Sequence, residues 1–533
     1  MINLNFKSFF TYVVGVLLLV GCGSTTPAII STPVENIDRS PLKVSELTKT
    51  EKENWGHLDL EKDTIPGMAV DRAYSEIIKG RKGQKTIVAV IDSGIDIDHE
   101  DLDGVIWINK KEIPNNGKDD DGNGYVDDIH GWNFLGDTYH EQLEMTRIVA
   151  KGDKSNPRYN DAEAEIQKQY NESLQTKQNI DALLQQVKPA QDIIKKHLGK
   201  ENYTKEDVAK INPNTQELGQ AKNVQMFLYD NNLTLEKLND YAEQYNDILN
   251  YNLNKEFKGR KIADDPDDFN DMPGYGNGNV KPMKKSESHG THVAGIVAAE
   301  RNNGKGANGV ANNVEIMSIR AVPNGDEYDK DIAKAISYAV NNGAKVINGS
   351  FGKSFSPHSQ WVRDAIKYAA SKDVLIVHAA GNDSKDIDVE PNYPSDNING
   401  AEVADNYISV GALAPKYGSK MVASFSNYGD QNVDIFAPGA QVYSTTPENE
   451  YDTKGGTSMA APAVAGLAAL IRSQYPKLSA VQVKKVILDS GLSLTTKVVV
   501  GGDSSDVRAF SELSKSGRIA NAYNALIMAS KIK

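Results

Sequence analysis

The sequence predicts an α/β fold built on a mainly parallel sheet and interrupted by an all-helical block, and three observations carry that reading. Lys85-Thr86-Ile87-Val88-Ala89-Val90-Ile91 is a continuous run rich in β-branched residues, the pattern of a parallel strand buried on both faces. From His289 onward, strand-like and helix-like stretches alternate as in a doubly wound sheet. Between them, residues 142–261 turn rich in Gln, Asn, Lys and Glu and carry helical stripes of apolar side chains.

At the N-terminus Lys7 precedes the apolar run Phe9 to Val20, too short for a comfortable span of ~20 residues, so residues 1–22 read as a signal peptide. The run ends in Leu19-Val20-Gly21-Cys22, which resembles a bacterial lipobox, where cleavage before the cysteine leaves a thiol for acylation. Cys22 is the single cysteine, so no intramolecular disulfide forms. Export with a lipid anchor at Cys22, to the cell envelope and its outer membrane, is the expectation. Residues 23–60 start Ser/Thr/Pro-rich without a sustained period and read as a tether.

The α/β domain then begins at residue 61, runs to 141, and resumes at 262–533. Asp92 ends its first strand, at the sheet edge where open α/β folds place their sites. Within 142–261, Ile166, Tyr170 and Leu174 recur every four residues, and Leu235, Leu238, Ala242, Tyr245 and Leu249 follow a seven-residue pattern. Thr204 and Thr234 are placed to cap helices. Further strands are expected at Val314–Ala321, Ala344–Ser350, Val374–Ala379, Tyr407–Gly411 and Val433–Phe436. Helices are expected at Asp331–Asn342, with Gly343 as its left-handed terminator, and at Thr457–Tyr475, stopped by Pro476.

Ser458 lies in Gly455-Gly456-Thr457-Ser458-Met459-Ala460-Ala461-Pro462, and a histidine pair in His289-Gly290-Thr291-His292-Val293-Ala294-Gly295. A serine hydroxyl attacks an amide only with a base in hydrogen-bond reach and a group that orients the base. Ser458 is assigned as nucleophile, His289 as general base and then acid, and Asp92 as the carboxylate that fixes the imidazole tautomer. A helix starting at Thr457 points the Ser458 N–H and the positive end of its dipole at a developing oxyanion.

With Val90-Ile91-Asp92-Ser93-Gly94, these three motifs in the order Asp, His, Ser resemble the subtilisin-like serine peptidases, the subtilase family. The likeness covers residues 60–133 and 289–529. It implies a three-layer α/β/α subtilisin-like fold and a serine endopeptidase that hydrolyses peptide bonds through an acyl-enzyme. It gives catalysis to His289 and leaves His292 structural. Val377-His378-Ala379-Ala380-Gly381-Asn382 matches the family's oxyanion segment, making Asn382 the side-chain donor. Ser350, Phe351 and Gly352 match the strand that binds extended substrate, and Ala379, Ala380 and Gly381 the facing wall. Small walls imply a large apolar P1 residue. Asp383 either admits a basic P1 or is simply a solvated carboxylate. Two departures stand out: only residues 23–84 precede the first strand, little room for an inhibitory prodomain, and the helical block intervenes.

The second strong signal is Asp119-Asp120-Asp121-Gly122-Asn123-Gly124-Tyr125-Val126-Asp127-Asp128. With Gly124 as the tight-turn glycine, Asp119, Asp121 and Asn123 take loop positions 1, 3 and 5, the Tyr125 carbonyl 7 and Asp127 9. His130 stands at position 12 where glutamate is usual, so the bidentate ligand comes from elsewhere, with Asp128 a candidate. Similar calcium loops precede a Gly-Trp-Asn segment, here Gly131-Trp132-Asn133, in bacterial subtilases, and Asp101 with Asn302 is similar to another family calcium site. Structural Ca²⁺ is therefore expected, with no catalytic metal or organic cofactor.

The formal charge of −13, from 59 basic and 72 acidic residues without a long basic run, argues against a nucleic-acid partner. Protein or peptide substrates, and the membrane through Cys22, are the expected partners; nothing in the sequence speaks to oligomeric state. The helical block must return its two stems near the active edge, since Asp92 and His289 flank it, and it either controls access to the cleft or is an inert expansion.

Overall fold

The computed structural model describes Ile29 and residues 31–35 and 37–532; Cys22 and the signal segment lie outside them. Its centre is a nine-stranded sheet in the order Leu492–Ser493, Arg518–Ile519, Ile435–Pro438, Tyr407–Leu413, Leu375–Ala379, Val346–Gly349, Thr86–Asp92, Val314–Arg320, Gly131–Asn133. Every pairing is parallel except the outermost, Leu492–Ser493 with Arg518–Ile519.

The first strand shows why the sheet is covered on both sides. Val88 and Val90 face one apolar cluster with Val293, Val464 and Leu467 from the helices His289–Ala298 and Thr457–Gln474. Ala89 and Ile91 face a second cluster with Ile332, Ile336 and Ile366 from Asp329–Asn341 and Ser359–Ser371. Alternate side chains of one strand thus feed two cores, and a three-layer α/β/α sandwich results. Asp329–Asn341 ends as expected, with Gly343 at φ +86°. The edge strand Gly131–Asn133 and the hairpin Lys497–Val500 with Asp503–Ala509 are elements the sequence pattern did not announce.

Residues 23–60, expected as a tether, are packed on the core from Val34 onward. Val34 exchanges backbone hydrogen bonds with the Asn524 side chain at 2.8 and 3.0 Å, and Ile37, Trp55 and Leu60 are buried. Buried residues this far apart leave no period in the sequence. Among the described residues no helix is long and apolar enough to cross a membrane.

The helical block consists of Glu144–Lys151, the long helix Tyr159–Leu198, Lys205–Ala209, Gln216–Asp230 and Leu235–Asp247. Thr204 and Thr234 cap their helices, accepting from Asp207 N and Lys237 N. The stems meet: Leu143 N donates to Asn252 O at 3.0 Å, and the Asn252 amide donates to Glu141 O and Asn324 O. The expected stripes are buried only in part. Ile166 sits in the root cluster, while Tyr170 and Leu174 are exposed because the shorter helices pack farther along, around Val187, Ala190 and Ile194. Of the seven-residue pattern in Leu235–Asp247, only Leu238 is fully buried.

Candidate active site

The C-terminal ends of the central strands and the N-terminus of Thr457–Gln474 meet at one edge. Asp92 ends its strand with its carboxylate buried, and its Oδ1 accepts from Ser93 N at 2.8 Å and Ser93 Oγ at 3.2 Å. The same oxygen accepts from His289 Nδ1 at 2.8 Å, while Asp92 Oδ2 is buried without a partner among the described residues. Burial alone would lower the His289 pKa, but the charge and hydrogen bond of Asp92 outweigh it and hold the imidazole above its ordinary value. His292 behaves differently. It is fully buried, bonded to Asp452 O, and pushed down to about 3 by burial, so it stays neutral in the core.

The first turn of Thr457–Gln474 presents its free amides in a selective way. Thr457 N donates to Asn382 Oδ1 at 2.7 Å and Met459 N to Gly456 O at 3.0 Å, leaving the Ser458 N–H between them without a backbone acceptor. Thr457 Oγ1 accepts from Gly381 N and donates to Asn382 Oδ1, both at 3.0 Å. With its oxygen engaged twice, the Asn382 amide turns its Nδ2 donor outward. A methyl group placed on Gly456 would lie 3.5 Å from that nitrogen and 3.6 Å from Ser458 N, so both donors border one small space.

Ser458 Oγ donates to Ser350 O at 3.2 Å, and Ser350 Oγ returns a bond to Ser458 O at 2.9 Å. Among the described residues it forms no hydrogen bond to His289, so the hydroxyl must rotate from Ser350 toward the imidazole before transfer. Such bonds are often unmade without substrate.

Phe351 is partly buried with its ring edge-on to His378, centroids 5.6 Å apart, and Gly352 is exposed. On the facing segment Ala379 and Ala380 are buried, and Gly381 adopts φ +103°, where an added Cβ would meet Asn427 Nδ2 at 2.3 Å. Asn392, not singled out by sequence, ties the two segments: its amide donates to Ala380 O at 3.1 Å and lies 3.1 Å from where a Cβ on Gly352 would be. Asp383 is exposed on the rim. Behind this wall lies a cavity of about 260 Å³ lined by His378, Asn392, Asp396 and Tyr407.

In the acidic loop, Asp119 Oδ1 accepts from Gly122 N and Asn123 N, and its Oδ2 from Gly124 N. Asp119 and Asp121 come together with Glu112, one oxygen of each within 4.8 Å of the others. Glu112 is buried; its Oε1 accepts from Asp120 N and Asp121 N, and its Oε2 has no partner among the described residues. A buried, unpaired carboxylate oxygen beside two more carboxylates fits a divalent cation, which such oxygens ligate. Asp128 is not in this group: it faces the core, accepting from Tyr338 OH at 2.6 Å, Asn109 at 2.9 Å and Asn123 Nδ2 at 3.0 Å. Asp127 instead caps the Asn116 and Gly117 amides, the Asn123 oxygen accepts from Tyr125 N, and the Tyr125 ring packs on Trp132. Asp101 is satisfied by Asn303 Nδ2 and Ala307 N, and the Asn302 backbone N–H donates to Asn308 Oδ1. Glu112 has no motif of its own; a lone acidic residue seven positions ahead of the loop carries no signal in sequence.

Comparison with known proteins gives the family. A thermophilic serine proteinase of Bacillus sp. (strain AK1) is 45% identical over 188 residues, 35% of this chain and 43% of that protein. Subtilisin DY of Bacillus licheniformis is 40% identical over 208 residues, covering 39% of this chain and 71% of that one. Thermitase of Thermoactinomyces vulgaris is 38% identical over 197 residues, covering 37% and 65%. The chain thus spans less than half the length of the first of these relatives. The model of peptidase S8, the subtilase family, matches residues 83–510, most of the sequence, and the chain belongs to that family.

Proposed function

We propose that the chain is a serine endopeptidase acting through Asp92, His289 and Ser458, exported and held at the cell envelope by lipid on Cys22. The carrying observation is the joint placement of the Asp92–His289 bond and the two outward donors, Ser458 N–H and Asn382 Nδ2, at one edge. His289 Nε2 takes the proton as Ser458 Oγ attacks the scissile carbonyl, and the oxyanion settles between the two donors. The imidazolium returns the proton to the leaving amine. Water, deprotonated by His289, then hydrolyses the ester on Ser458. A large apolar P1 side chain is the favoured occupant beside Phe351 and Gly381. Glu112, Asp119 and Asp121 would hold a structural Ca²⁺, which would neutralise their converging carboxylates.

Labelling by a serine-directed fluorophosphonate, with cleavage of an unfolded protein, tests the reading. The chain from residue 23 should label and cleave, and Ser458→Ala should do neither; full activity in that variant would overturn it.

A further inference from the structure

The segment that continues the substrate-binding residues is built into the root of the helical block. Directly after Gly352, the side chain of Lys353 is almost fully buried. Its Nζ is 3.0 Å from Glu144 Oε2 and 3.0 Å from Asp329 Oδ1, and it donates to Glu327 O at 2.6 Å. Its backbone pairs both ways with Tyr393, at 2.9 Å each. Two residues on, Phe355 is buried in the apolar cluster of the root, with Met145, Ile148, Val149, Tyr159 and Leu253.

Glu144 belongs to the first helix of the block and is itself buried. Burial would raise its pKa, yet the neighbouring Arg147 and Lys353 cations bring it down to about 2, so it is ionised. Arg147 binds the carboxylate at 2.5 Å and donates to Asp326 O and Glu327 O at 2.9 and 3.1 Å. The block therefore contributes a buried charge and an apolar socket to the segment that begins with Ser350. Burying a lysine needs fixed counter-charges, and losing one of a buried set displaces the group it held.

We infer that the root of the helical block is a working part of the substrate-binding wall, with Lys353 as a positioning residue whose counter-ion Glu144 holds Ser350–Gly352 in register for an extended peptide. The inference rests on the reading of Ser350–Gly352 as substrate-binding. It separates the block into a root that the cleft requires and a distal part, beyond about residue 168, that the wall does not need.

The test compares an N-acetyl amino-acid ester, which reaches only the P1 site, with a tetrapeptide anilide that lies along Ser350–Gly352. Fluorophosphonate titration fixes the active fraction of every preparation. In Glu144→Gln and Lys353→Met, the tetrapeptide should lose roughly three- to tenfold in kcat/KM through KM, the scale of one or two weakened backbone hydrogen bonds. The ester, which meets this wall only at P1, should lose clearly less than the tetrapeptide, and Lys353→Arg should restore most of the tetrapeptide KM. Glu144→Asp, which keeps the charge, serves if Glu144→Gln does not fold, and should give an intermediate KM. Replacing residues 168–243 by a short Gly/Ser linker should leave both substrates unchanged. Equal losses on both substrates, or a lowered melting temperature with no change in tetrapeptide KM, would overturn the inference. Failure of the unaltered chain to react with the fluorophosphonate or the ester would instead overturn the proposed activity.

Discussion

Replacing Asp92 by asparagine separates two contributions of the carboxylate that are usually lost together. Asp92 Oδ1 accepts from His289 Nδ1 and also from the Ser93 N–H, which can only donate. In Asp92→Asn the amide oxygen is therefore held at the Oδ1 position, and the amide nitrogen takes the partnerless place of Oδ2. His289 keeps its acceptor and tautomer; only the negative charge disappears. Unit charges ~4 Å apart at an effective dielectric of ~20 interact by about 4 kcal/mol, roughly a 10³-fold loss in turnover. A loss of ~10⁴ is the scale when the tautomer fails as well. The acid limb of the pH profile moves too. His289 is held above its ordinary value because Asp92 outweighs the effect of burial, so activity in the unaltered chain rises with pH only above ~6.5. Without the charge, burial and the nearby Lys454 cation lower the imidazole against the one retained hydrogen bond, and the midpoint falls. The raised pKa also means that this pair's stabilisation is present at acid pH and is lost as pH rises through it. The assay is kcat/KM for a chromogenic tetrapeptide from pH 5 to 10. A fall of less than tenfold, or an unmoved acid midpoint, refutes the argument, and a loss of 10⁴ or more refutes the retained tautomer.

Three further outcomes follow from the same geometry. Asn382→Ala should lower kcat by about 10²–10³ with little change in KM, since its donor is engaged only as the oxyanion forms; a pure KM defect would contradict this. Chelation should destabilise the chain by about 2.7 kcal/mol relative to calcium at a hundredfold excess over its dissociation constant, and Glu112→Gln should remove most of that difference in thermal unfolding. Full calcium response in the variant would move the ion elsewhere. Replacing the distal helices, residues 168–243, should change cleavage of a folded protein more than that of a small peptide; equal rates before and after would leave the distal helices without a role in access.

The proposed catalytic residues were legible because each sits in a contiguous motif at the end of an element whose type is also legible. A β-branched run ends in Asp92, a small-residue helix begins at Thr457, and another begins at His289. Motif and element support each other, and the parallel sheet brings those ends to one edge. The substrate wall was legible only up to Gly352. What fixes it comes from far along the chain: Asn392 reaches Ala380, and Glu144 reaches Lys353 across 209 positions. Neither residue lies in a local pattern, because a partner of that kind is selected by the packed fold and not by its neighbours in sequence.

The acidic loop shows the same limit in smaller compass. Counting positions along the loop places ligands by spacing; the count put His130 at position 12 and left Asp128 as a candidate for the missing carboxylate. Spacing fixes where a residue stands but not which way its side chain faces. Asp128 immediately precedes the turn into the Gly131–Asn133 strand, so it points inward, where Tyr338 OH and two asparagine amides satisfy it and burial raises its pKa. A carboxylate so fully bonded is poorly placed to give up those donors for an ion. Glu112 is the converse, with one oxygen held by the loop's own amides and the other buried and unclaimed beside Asp119 and Asp121. The loop therefore closes on a residue that precedes it, and a cation at that point would be held by Glu112 together with Asp119 and Asp121.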